Sequence, residues 1–137
     1  MLERVDRLRT SSPYLLAVLL AVAGTSHLVR PGWYDGLVPP LLPGDARTWT
    51  LSSGVVELLV AGAVAAPRTR RAGGLAAAVL FVAVFPGNVA QYVEGRDAFG
   101  LDTDQARLVR LFFQPVLVAW ALWCTGAWRW LLSRRSG

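Results

Sequence analysis

The chain has 137 residues, a single cysteine, a formal charge of +5 and an apolar fraction of 54%. That length suits one domain, and one cysteine excludes an internal disulfide, a CxxC pair or a cysteine metal centre within one copy. The basic balance would suit nucleic acid, but its distribution along the chain argues for a membrane instead.

The apolar residues gather in four blocks, about 13–29, 50–66, 72–94 and 108–132, each read as a helix. At about 1.5 Å per residue such blocks approach or exceed a hydrocarbon core of about 30 Å, the first two with help from tilt or snorkelling arginines. Ser11, Ser12 and Pro13 start the first helix, with proline early in it, and Pro31-Gly32 stop it. Arg4, Arg7 and Arg9 before an apolar run, with Ala21-Val22-Ala23 inside it, also fit a cleavable leader. The run continues through Leu28 and Val29, so the segment is expected to be retained as a span. The next connection is rich in Pro and Gly and carries Trp33, Tyr34 and Trp49, which predicts an interfacial outer loop capping the bundle. Pro67 and the arginines after it join helices two and three tightly, and Gly95–Arg107 is a polar, acidic loop. Trp123, Trp128 and Trp130 mark a membrane boundary near the end of helix four, and Cys124 is read as a small apolar core residue. The expected fold is all-α: a transmembrane four-helix up-down bundle, a single domain over residues 1–137, with an interfacial loop between helices one and two.

The arginines alternate with the connections. Three precede the first block, three lie in Pro67–Arg71 and three follow Trp128, whereas the other two connections hold two each, matched or outnumbered by acidic residues. This is the positive-inside pattern. It predicts a multi-pass protein of the cell membrane with both termini in the cytoplasm. The expected environment is the lipid bilayer, with no nucleic-acid partner.

Polar residues interrupt the helices in one layer. Glu57 is the sole ionised residue of Leu51–Ala66, where an ionisable side chain costs roughly 2.5–3.5 kcal/mol and needs an interior partner. With alternating helix directions, His27, Ser53 and Glu57, then Asn88, Gln91 and Tyr92, then Arg110 and Gln114 all fall within about 10 Å of the outer helix ends. Ser53 and Glu57, Asn88 and Tyr92, and Arg110 and Gln114 are four apart, and Asn88 and Gln91 three, so each pair shares a helix face. Pro86 and Pro115 withhold donors from the carbonyls of Val82 and Leu111 beside this layer. Two plainer readings stand beside the functional one. Glu57 and Arg110 neutralise each other, or Asn88, Gln91 and Gln114 act as interhelical glue worth about 0.6–2 kcal/mol each.

Gly24-Thr-Ser-His27-Leu, followed by Pro31, Tyr34, Val38-Pro39 and Leu42-Pro43, resembles the first helix and loop of DoxX-like membrane proteins. Ser53-Gly54-Val-Val-Glu57-Leu, Phe85-Pro86-Gly-Asn88 and Arg110-Leu-Phe-Phe-Gln114-Pro115 resemble that family's later helices. The resemblance runs from about Pro13 to Trp123. It implies a four-helix membrane bundle whose shared polar positions are those named above, and some relatives are linked to thiol or sulfur oxidation with quinone as acceptor. The expected site therefore has Glu57, His27 and Arg110 as catalytic residues and Ser53, Asn88, Gln91, Tyr92 and Gln114 as ligand-binding residues. Its ligand is a small lipophilic molecule such as a quinone, with no cofactor held covalently, and electrons pass through a redox partner protein. One His without a second predicts no metal site. Two alternatives remain open: a cofactor-independent isomerase, cyclase or epoxide-opening enzyme using Glu57 and His27 as acid and base, and a non-enzymatic scaffold subunit.

Overall fold

Helix formation runs further along the chain than the apolar blocks require. The computed structural model describes residues 1–98 and 100–136, and these form an all-α fold. The first helix, α1, spans Leu2–Val29 and begins well before the Pro13 expected as its start. Leu and Arg in that added stretch favour helix, and Pro13 removes only the bond to the Arg9 carbonyl. After α1 come two short 3₁₀ turns, Pro31–Trp33 and Asp35–Leu37. Helix α2, Ala46–Ala65, also starts early because Asp45 caps it, accepting from the Arg47 backbone N–H.

The expected third helix is divided at Val84 into α3, Arg70–Ala83, and α4, Phe85–Glu94. Pro86, lacking an N–H for the Val82 carbonyl, accounts for the break. Helix α5, Asp104–Cys124, runs unbroken through Pro115. The expected fourth helix does not continue to residue 132: Gly126 takes φ +74, a left-handed conformation that favours glycine, and a separate α6 follows at Ala127–Arg135.

Contacts run from α1 to α2, α2 to α3 and α3 to α5, with α4 also on α5 and a shorter α1–α5 seam closing the bundle. The core of Leu16, Leu20, Val60, Val64, Ala77, Phe81, Ala121 and Cys124 fills the half of the bundle away from the polar layer. Outward from it, Leu15, Val18, Leu59, Val79, Phe112 and Val116 are exposed. A soluble bundle would turn polar side chains there. Four helices, with α3 and α4 taken together as Arg70–Glu94, are long and apolar enough to cross a membrane.

Candidate polar site at one end of the bundle

The site depends on how closely α1 approaches α2. A Cβ added to Gly24 would lie 2.8 Å from the Gly54 carbonyl oxygen, and one added to Gly54 would lie 2.8 Å from His27 Cβ. Only glycine fits at this crossing. The approach brings one turn of each helix together, His27 from α1 and Glu57 from α2, and their Nδ1 and Oε2 atoms are 3.0 Å apart. Glu57 is 9% exposed.

His27 Nδ1 is also 2.8 Å from the Ala23 carbonyl oxygen. A carbonyl can only accept, so Nδ1 carries a hydrogen. Glu57 Oε2 lies against that same edge of the ring without accepting a hydrogen bond from it, and the bond to Ala23 leaves Nε2 as the nitrogen that gains or loses a proton. Tyr34, 7% exposed, stacks on the imidazole with ring centroids 3.6 Å apart, and its hydroxyl pairs with Ser26 Oγ. Tyr34 was expected only as an interfacial aromatic. Its place in the Pro31…Tyr34 spacing was the one sequence signal for a site role.

On the other side of the layer, Arg110 Nε donates to Asn88 Oδ1 at 3.0 Å. Arg110 also lies within electrostatic range of His27 and Tyr34, which places the two halves in one layer. Asn88 is 3% exposed, and its Nδ2 has no hydrogen-bond partner among the described residues. A buried amide donor left in this way is costly unless something accepts from it.

The remaining expected residues divide. Gln91 is buried but turned to the loop, donating to the carbonyls of Arg96 and Ala98 at 3.3 and 3.0 Å. Tyr92 is exposed and Ser53 half-buried one turn before Glu57. Gln114 lines a groove of about 830 Å³ between α3 and α5, with Phe81, Phe85, Val118 and Leu122. Of the predicted site residues, that groove includes Gln114 alone. It therefore meets the polar layer at one end and runs away from it along apolar side chains.

The profile of a family described as a domain of unknown function, DUF8561, matches residues 16–125. The chain belongs to this family. The match takes in every polar-layer residue named above and stops at the start of α6. No curated protein and no solved structure matches the chain.

Within the DUF8561 match, the loops lie across the polar end. A Cβ on Gly87 of α4 would be 2.5 Å from the Leu37 carbonyl oxygen, so the first loop rests directly on that helix. Arg96 reaches the Gly36 and Val38 carbonyls. Arg107, 5% exposed, donates to the Arg96 carbonyl and pairs with Asp97 and Asp104. Asp35 pairs with Arg47 at 2.8 Å. Burial alone would raise the Asp35 carboxyl, but the hydrogen bond from Arg47 and the Arg47 charge outweigh it and hold it below its ordinary value. In the sequence these arginines read as topology signals. Their contacts also bind the loops into a cover.

Proposed function

We propose that this chain is a multi-pass membrane protein, both termini cytoplasmic, that binds the polar head of a small lipophilic molecule at the outer polar layer and moves a proton there. The observation that carries this reading is the buried Asn88 Nδ2 donor, without a partner among the described residues, on the same layer as the His27–Glu57 pair. A carbonyl headgroup suits that donor. A quinone presents such carbonyls, and the DoxX-like resemblance favours it; when bound it would supply two-electron, two-proton chemistry, with two electrons and one proton from a redox partner protein and the second proton through His27. The residues of the chain would do three things. Asn88 and Arg110 would hold the head, Tyr34 and the loops would exclude water, and His27 Nε2 would give or take the proton. Glu57, against Nδ1–H, would stabilise the imidazolium form. The groove starting at Gln114 offers an apolar lane for a tail.

The second reading, a cofactor-independent acid–base enzyme on a lipophilic substrate, draws on the oriented imidazole itself. The experiment is mass spectrometry of small molecules extracted from detergent-purified protein, with Glu57→Gln and Asn88→Leu controls. A stoichiometric quinone lost in both variants supports the first reading, and a non-quinone lipophile lost in both supports the second. Only bulk phospholipid in all three samples, before and after quinone is supplied, would leave the scaffold role standing.

A further inference from the structure

The opposite end of the bundle holds a separate recess of about 760 Å³, formed where α1, α3 and α6 meet. Arg9, Arg70, Arg71 and Arg129 line it against one carboxylate, Asp6. Arg70 is fixed by donating to the Val64 and Ala65 carbonyls, both at 3.0 Å, and its guanidinium sits 4.8 Å from the Tyr14 ring centroid. Among the described residues, no carboxylate forms an ion pair with Arg9, Arg71 or Arg129. Arginines acting only as topology signals need not converge from three helices on one concavity.

The recess adjoins the apolar groove between α3 and α5, and Arg9, Gly126 and Arg129 line both. At this end the groove wall is Ala119, Leu122, Trp123 and Trp128. Gln114 and Trp123 are separated by roughly 14 Å of helix, so the stretch here is distinct from the polar layer. We infer that the recess and the adjoining groove form a binding site for an anionic diacyl phospholipid, its phosphate among the arginines and an acyl chain along the groove. Guanidinium groups match phosphate oxygens two at a time, and the excess of arginine over carboxylate disfavours a zwitterionic head. A soluble anion would satisfy the arginines but would make no use of the apolar wall of Ala119, Leu122, Trp123 and Trp128 beside them. A basic pocket between spanning helices on the arginine-rich side is where such lipids are recognised.

The test is native mass spectrometry of the full chain in detergent, titrated in turn with phosphatidylglycerol, phosphatidylcholine and inorganic phosphate. Phosphatidylglycerol is expected to bind one to one in preference to phosphatidylcholine. The Arg9→Gln/Arg129→Gln variant should lose about twenty-fivefold, at roughly a factor of five per arginine. Leu122→Trp narrows the groove while leaving the arginines in place, and should weaken phosphatidylglycerol without changing phosphate binding. Equal retention of the two lipids, retention of phosphatidylglycerol unchanged in Leu122→Trp, or its full displacement by inorganic phosphate would overturn the proposal.

Discussion

At the scale of single residues, the arrangement turns on the contact between His27 and Glu57. An ionisable group at mid-helix costs roughly 2.5–3.5 kcal/mol in a membrane span, whereas an interhelical polar contact returns only about 0.6–2 kcal/mol. Glu57 is therefore retained at a net cost to stability. We predict that Glu57→Gln folds with a thermal midpoint equal to or above that of the parent while losing the bound lipophile, as thermal unfolding and extraction together would read. A marked fall in midpoint would identify Glu57 as structural. Asp35 supplies a pH dependence at the loop. Its folded carboxyl lies below its ordinary value, so its contribution is present above about pH 4 and fades as pH falls through the folded value. Fluorescence of the neighbouring Trp33 and Trp49 should change over that acid range and stay flat there in Asp35→Asn. The polar layer was legible in the sequence because one carboxylate in an apolar helix demands partners. The identity of the partner was not, because His27 and Arg110 both lie within helical reach and only the Gly24–Gly54 crossing selects the imidazole.

At the scale of elements, glycine sets the helix crossings. Gly54→Ala would put a methyl against His27 Cβ and the Gly24 carbonyl, and overpacking of this kind costs about 1–3 kcal/mol. We expect a lowered thermal midpoint together with loss of the bound lipophile, because the same shift parts His27 from Glu57. Gly62→Ala lies on the same helix with nothing within 4 Å of its Cβ, so it should change neither reading. Element boundaries were less legible than element existence. Hydropathy marks where a helix is apolar, but α1 and α2 extend into polar sequence on propensity and on the Asp45 cap. The division at Val84 follows from Pro86, yet Pro115 leaves α5 whole, so proline alone does not tell a break from a tolerated lost bond. The Gly126 turn left only a glycine within an apolar run.

At the scale of the whole molecule, the bundle has two chemically distinct ends: a polar layer covered by loops, and an arginine-rich end that adjoins a groove. The four spans and the alternation of arginines predict that both termini lie on one side. In a Cys124→Ala background, Asp102→Cys should react with a membrane-impermeant maleimide in intact cells, and Ser136→Cys only after permeabilisation. Labelling of both in intact cells would contradict the topology.

The most direct measurement uses the fact that the chain contains one histidine. Nitrogen-15 NMR of histidine-labelled protein therefore reads His27 alone. Nδ1 is expected to stay protonated while Nε2 titrates, Glu57→Gln to shift both signals, and a bound quinone to perturb Nε2. A neutral ring protonated at Nε2 with a bare Nδ1, indifferent to Glu57→Gln and to quinone, would contradict this.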